Sequence, residues 1–402
     1  MLTSPIPKVA ILLETSRLLG RGMHQGIVNY SRLHGPWAFH VWLMDELTDS
    51  FSLVKWRGDG IIARIPNKQV EKAIQVAGLP TVGVMLTDEQ RQPSSSCFHF
   101  SEINVESYEA AVLCAEHLLE LQFKTFAFVG EKNDVSWSLQ RQKGFCDKIT
   151  QEGFSCQCYI PSKQSRYSWN DDSVQLGNWL AKLPKPVGLL AAFDLRGKQI
   201  IDVCFERGIK VPEEIAVIGI DNDQLICEYC CYQPMSSIGF DTVLGGYKAA
   251  EMLDQIMKGK QTEPICFRIP PLHVVARQST DCYRLNDPLL VQALEIIRSQ
   301  TTRRINVEQL CRQLDVSKNT LEKKFKQQFG CSILCKINQA IIAQIKILLS
   351  ETNMTIAEIA EHCLFDSDTN LCKFFKRETG TTMRQWRLQA KQTSKAPSVP
   401  FG

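Results

Sequence analysis

Residues 317–332 and 367–382 carry one pattern twice, fifty positions apart. SKNTLEKKFKQQFGCS aligns with SDTNLCKFFKRETGTT, pairing Ser317 with Ser367, Leu321 with Leu371, Lys323 with Lys373, Phe325 with Phe375, Lys326 with Lys376 and Gly330 with Gly380. A register held over this many positions requires two copies of one small unit. Each copy is written as two short helices around a tight turn. Asn306 stands three residues before Gln309, a capping pair, and Leu310 and Leu314 follow at helical spacing. Asp315 and Val316 make the turn, and Ser317 caps a second, basic helix. Thr355 and Glu358 open the second copy in the same way, with a turn over residues 364–366. Between the copies, residues 333–350 read as one helix, about 27 Å long at 1.5 Å per residue. Major-groove faces recur about every 34 Å along DNA, so such a spacer offers both second helices to one side of a duplex.

Leucine and phenylalanine face inward on those helices, which leaves the opposite side for contact. Candidates for base edges are Lys318, Asn319, Thr320 and Glu322 in the first copy, and Asp368, Thr369 and Lys373 in the second. Lys326, Lys376 and Arg377 read as phosphate clamps, which hold register without reading sequence. Lys323 and Lys326 together mark the first reading head. For any single lysine, a solvated helix face is an equal alternative. Charge supports the assignment only when resolved along the chain. The whole has 46 Lys+Arg and 43 Asp+Glu. Through Asn286 there are 29 basic and 32 acidic residues, and beyond it 17 basic and 11 acidic. A net of −3 is thus joined to a net of +6, the asymmetry of a chain with one phosphate-facing domain.

The first 280 residues follow another plan. Short apolar runs at 9–13 (VAILL), 37–44, 60–64 (GIIAR), 81–85, 125–130 (TFAFVG), 188–193 (GLLAAF) and 215–220 (IAVIGI) alternate with helical segments at 20–34, 67–78 and 105–121. This predicts parallel sheets covered on both faces, in two lobes because the length exceeds one core. Such sheets collect ligands at their strand ends. Polar residues stand there: Glu14, Thr15, Ser16 and Arg17, then Glu131, Asp194, and Asp221 with Asn222. Helix capping is an equal reading for Asp194 or Asp221 alone, and the convergence of the set favours a small hydroxylated ligand. Nucleotide-binding glycine motifs and a nucleophile elbow are missing, and no histidine has a partner at a family spacing, which argues against an enzyme. Cys227, Cys230 and Cys231 are the densest cysteine cluster, but no second pair completes a zinc site. The sixteen cysteines therefore read as free thiols of a reducing cytosol. No apolar run reaches the ~20 residues of a membrane helix, and the opening residues do not resemble a signal peptide. No cofactor and no metal are expected.

The segment 105–130, ending in AFVG, resembles the sensor domains of lactose and galactose repressors. Arg141, Gly144 and Phe145 match their R-x-x-G-F, KVPEEIAVIGIDND (210–223) matches a strand-ending aspartate, and VVARQST (274–280) resembles the closing segment. This resemblance spans residues 8–280 and implies the fold of periplasmic sugar-binding proteins, with effector binding and dimerisation. Residues 288–388 resemble the DNA-binding unit of arabinose-operon regulators, and FFKRETGTTMRQWR (374–387) is similar to its signature. Three positions depart: Leu364 replaces a turn glycine, Met383 a proline, and Ile341 an arginine of the linking helix. Residues 281–287 are then a linker and 389–402 a flexible tail.

The combination is similar to the xylose-operon regulator family, whose first-helix and strand-end segments resemble ETSRLLGRGMHQGI (14–27) and DLRGKQII (194–201). The resemblance implies a cytoplasmic transcription activator. Its partners would be operator DNA, a small sugar (a pentose such as D-xylose), a second copy of the chain and RNA polymerase. The effector residues implied are Ser16, Leu19, Glu106, Arg141, Phe193, Asp194 and Asp221. Here Glu106 and Ser107 stand for a usual Asp-Asn pair, Leu19 for an aromatic and Phe193 for an asparagine. Such changes alter pentose recognition, because sugar hydroxyls need partners in a closed site. A second reading follows: a regulator whose sensor no longer binds a sugar and serves to dimerise.

Overall fold

The computed structural model describes residues 6–42, 51–131, 135–161, 169–230, 232–281, 287–300, 305–352 and 354–392. The chain divides into two compact units, Met1–Cys282 and Tyr283–Gly402. The division falls within the segment read as a linker, of which residues 282–286 lie outside the described residues.

The first unit begins with β1 (Lys8–Leu12), α1 (Leu18–His34), β2 (Ala38–Val41), α2 (Phe51–Lys55), β3 (Gly60–Ala63), α3 (Lys68–Ala77), β4 (Thr81–Val84) and β5 (Ser101–Val105). It crosses to a second lobe of α4 (Ser107–Glu120), β6 (Phe126–Val129), α5 (Ser136–Gln151), β7 (Cys156–Tyr159), α6 (Trp169–Lys182), β8 (Val187–Ala191), α7 (Asp194–Glu206), β9 (Ile215–Asp221) and β10 (Ser236–Phe240). It returns for α8 (Thr242–Met257) and β11 (Cys266–Ile269), then crosses a third time into β12 (Pro271–Val275). Two six-stranded sheets result, ordered β11-β5-β4-β3-β1-β2 and β12-β10-β9-β8-β6-β7. Among the described residues, every strand pairing is parallel except β10 with β12.

Fully apolar strands such as Gly60–Ala63 and Val187–Ala191 are buried along their whole length, as parallel strands covered on both faces must be. The amphipathic α3 is closed by Asn67, which accepts N–H bonds from Gln69 and Val70, and by left-handed Gly78. Helices α1 and α8 meet backbone to backbone. A Cβ added at Gly26 would lie 2.0 Å from the Val243 carbonyl oxygen, and one at Gly246 would lie 2.0 Å from that of Met23. One expectation needs correction. The helical reading of 105–121 begins too early, since Val105 ends β5 and the helix starts at Ser107. SEINV is a short buried strand whose polar residues hid it from a search for apolar runs.

The second unit is helical: α9 (Pro288–Ser299), α10 (Val307–Gln313), α11 (Lys318–Phe329), α12 (Ile333–Glu351), α13 (Ile356–His362), α14 (Asp368–Thr379) and α15 (Met383–Gln392). Helix α15 continues past residue 388, where the tail was placed, and residues 393–402 lie outside the described ones. Both capping boxes form, Asn306 with Gln309 and Thr355 with Glu358. Leu321, Phe325, Leu371 and Phe375 are fully buried in one core with Leu310, Ile337, Ile345 and Ile359. Each burial contributes roughly 2 kcal/mol. Ile341 and Met383, two of the departures, join this core.

The repeat is not uniform. First helices begin at Val307 and Ile356, 49 apart, whereas second helices begin at Lys318 and Asp368, 50 apart. The second turn holds one more residue. Asp315 and Leu364 occupy equivalent left-handed positions, both at φ 51°. Leucine is strained there and glycine is not. Leu364→Gly is therefore expected to stabilise this unit by about 1 kcal/mol, read as a higher denaturant midpoint in urea unfolding of the chain. A lower midpoint would show that the leucine side chain contributes more than its backbone costs.

Candidate functional site

Strand ends from both lobes meet at a cavity of about 340 Å³. The first lobe supplies Glu14, Ser16, Arg17, Leu19, Arg64, Met85 and Val105; the second supplies Trp137, Arg141, Phe193, Asp194, Asp221, Asp223, Ile226 and Phe240. A further hollow shares Arg17, Arg64, Met85 and Trp137 and runs on to Thr87, Arg91 and Gln140.

Arg141 organises the second lobe's wall. It is 3% exposed; Nη1 donates to the Ala192 carbonyl at 2.6 Å and Nη2 to Asp221 Oδ1 at 3.1 Å. Its guanidinium lies 4.9 Å from the Trp137 ring centre and 5.8 Å from that of Phe240. Asp221 itself sits at φ 120°, a conformation rare outside glycine, and Asn222 and Met85 also have positive φ. Strained residues of this kind cluster where a site over-determines them. Asp194 does not cap its own helix. It accepts from the Asp223 N–H at 2.7 Å and the Ser237 hydroxyl at 2.5 Å, so it ties the start of α7 to the segment after β9 and to β10. Across the cleft, Arg21 of α1 pairs with Asp223 at 2.9 Å, and Arg17 lies 5.4 Å over the Phe193 ring. Arg64 and Glu14 pair at 2.6 Å within the first lobe.

Burial, and then the charge of Asp221, push the Asp194 carboxyl up to about 8. An unfolded aspartate titrates near ~4, so between about pH 4 and pH 8 the folded chain binds the extra proton. This group's contribution to stability is therefore complete at low pH and lost as pH rises toward 8. Asp194→Asn is expected to flatten the fall in melting temperature between pH 5 and pH 8. A variant with the wild-type slope would assign the proton elsewhere.

Six of the seven effector residues read from sequence lie on this cavity: Ser16, Leu19, Arg141, Phe193, Asp194 and Asp221. Glu106 does not line it. Its carboxylate faces Arg268 of β11 at 3.7 Å, because it occupies the crossing between lobes rather than a strand end inside the cleft. Sequence reasoning left out Arg64 and Trp137. Arg64 carried a signal, as the polar residue ending GIIAR; Trp137, in the first turn of α5, carried none. His117 holds Thr280 Oγ1 at 3.0 Å, a structural role. Of the cysteine cluster, Cys227 is buried and Cys231 lies outside the described residues.

In the helical unit, Lys318, Asn319, Thr320, Lys323 and Lys326 are exposed on α11, and Asp368, Thr369, Lys373, Lys376 and Arg377 on α14. Glu322 is half-buried, and its carboxylate accepts the Ile333 N–H at 3.2 Å, beside Ser332, the N-cap of α12. Several candidates are already engaged. Lys318 bridges to Glu308 at 3.5 Å, Thr320 bonds Ser317, Asp368 accepts from Thr369, and Arg377 pairs with Glu378 at 2.7 Å. Lys324 is bound to Asp287, the cap of α9. Asn370 and Arg384 are exposed nearby and were not anticipated.

A two-lobed cleft domain followed by paired helix-turn-helix motifs defines a DNA-binding transcription regulator with a small-molecule sensor. Residues 115–280 match the periplasmic binding protein-like domain family, and residues 310–389 match a helix-turn-helix domain family. The chain is 29% identical to the xylose operon regulatory protein of Haemophilus influenzae over 392 residues, covering 96% of this chain and all of that one. To the protein of that name from Escherichia coli K12 it is 28% identical, over 94% of this chain and 96% of the other. The solved structure of the xylose-binding transcription activator xylR aligns with a TM-score of 0.62 at 27% identity, over 96% of this chain and 99% of that one. Over nearly its whole length the chain is thus similar to xylose operon regulatory proteins, with both of their domain types in the same order. These relatives are regulators, not enzymes. Among the described residues, no helix is long and apolar enough to cross a membrane.

Proposed function

We propose that this chain is a cytoplasmic transcription activator gated by a monosaccharide-sized, polyhydroxylated effector bound between Arg141, Asp194 and Asp221. The observation that carries this reading is the convergence of these three groups on a cavity at the small end of the ~300–1,000 Å³ range of ligand pockets. The Asp221 carboxylate can accept, and the Arg141 guanidinium and the Asp194 carboxyl, protonated below about pH 8, can donate, which matches alternating sugar hydroxyls, and the Trp137 and Phe193 rings suit the apolar face of a pyranose. D-xylose is the first candidate, since the relatives are named for xylose. Effector contacts on both lobes would favour the closed arrangement, which the Arg21–Asp223 pair already spans. A sensor kept only for dimerisation is the competing reading, supported by the bulk of Phe193 where an asparagine is usual. Calorimetry against pentoses and hexoses separates the two. Heat at one site per chain with a pentose supports gating, whereas no heat and no thermal shift with any sugar supports the alternative.

The chain would act as a homodimer recruiting RNA polymerase at an operator. Leu225, Tyr229, Phe205 and Tyr232 are exposed together, the last two stacked at 3.8 Å, an apolar patch of the kind that interfaces cover. Tyr229→Asp is expected to convert a dimer into a monomer in sedimentation velocity; an unchanged mass would place the interface elsewhere.

A further inference from the structure

Strand β7 is the outer strand of its sheet and reads Cys-Gln-Cys-Tyr. Cys156 and Cys158, two apart, present their side chains to one face of the strand. Helix α5 packs there and supplies Cys146. The three sulfurs lie within 4.8 Å of one another, and those of Cys146 and Cys158 are 3.6 Å apart. Nothing in the cleft or on the DNA-reading helices uses them.

We propose that Cys146, Cys156 and Cys158 form a binding site for one thiophilic metal ion, Zn(II) or Cu(I), held by three thiolates. Sulfurs bound at about 2.3 Å around one ion stand about 4 Å apart, so the observed spacing needs shifts of under about 1 Å to close on a metal. Soft thiolates select Cu(I) and Zn(II) over hard cations. Cys158 is exposed while Cys146 and Cys156 are half-buried, which gives an ion an entry path and leaves an open side for a water. Thiols lose their protons on becoming ligands, so binding would release protons to solvent. The ion would clamp α5, which also carries Arg141, to the edge of the sheet.

The test uses the full chain, reduced and stripped of metal, titrated with Zn(II) and with Cu(I) against a chromophoric chelator. The wild type should retain one more equivalent than Cys146→Ser/Cys158→Ser, and Cys158→Ser alone should weaken that equivalent at least tenfold. Cys158 is on the surface, so this single variant is expected to fold, as circular dichroism would verify. Cys266→Ser, an exposed cysteine elsewhere, should leave the titration unchanged. Equal uptake by wild type and Cys158→Ser overturns the proposal. So does a reduced chain that retains no metal while air oxidation joins Cys146 to Cys158, since the cluster would then be a disulfide pair.

Discussion

Arg141→Ala is expected to abolish the calorimetric heat of any sugar the wild type binds, and to lower the stability of the sensor by about 3 kcal/mol. The guanidinium joins the ends of two strands, through Ala192 after β8 and Asp221 of β9, and fills the space between Trp137 and Phe240. Removing it leaves a cavity, an unpaired carbonyl and an uncompensated carboxylate. Deleting one partner of a buried pair costs about 3–5 kcal/mol. The lower end applies because the Asp221 side chain is 34% exposed and can hydrate. Strained Asp221 also loses the contact that holds its φ at 120°. Arg141→Lys keeps the charge but not the planar fork that reaches two acceptors, so it should fold better than alanine and still bind poorly. Full effector affinity in Arg141→Ala would remove Arg141 from the site.

The second large effect is on DNA. Lys323→Ala/Lys326→Ala should weaken operator and non-operator binding alike, by roughly tenfold or more near physiological salt, and flatten the salt slope by about two units per chain. Both lysines are exposed and three positions apart on α11, over a core formed by Leu321 and Phe325. Lys324 differs: it binds Asp287 and holds α9 to α11, so its loss should appear as instability. Arg377→Ala should cost less than the Lys323/Lys326 pair, because Glu378 already holds that guanidinium. An unchanged slope in the double variant would displace the first reading head from the phosphates.

The helical unit was legible because its signals are local. Caps at Asn306, Ser317, Thr355 and Ser367 state where helices begin, and the repeat states that they begin twice. Strand ends in the sensor were legible because apolar runs stop at polar residues. What stayed hidden depends on distant partners. Glu106 has the right position in the chain but meets Arg268, 162 residues on. Glu322 reads from sequence as a candidate for base edges, and its bond to the Ile333 N–H, eleven residues on, is invisible there. The cysteines drew notice at 227, 230 and 231, yet the sulfurs that converge come from Cys146 on a helix and Cys156 and Cys158 on a strand. Spacing along the chain carries no warning of that convergence.

The central claim is that occupancy of the cleft changes how the chain engages DNA. A ligand shifts such an equilibrium only if it prefers one state. The direct measurement is genome-wide footprinting of the wild-type chain with and without D-xylose, with Arg141→Ala run alongside. The account predicts promoter sites whose occupancy rises with the pentose in the wild type and stays flat in Arg141→Ala. Equal occupancy with and without D-xylose and every other sugar in the panel would contradict it, leaving a DNA-binding regulator whose sensor domain does not sense.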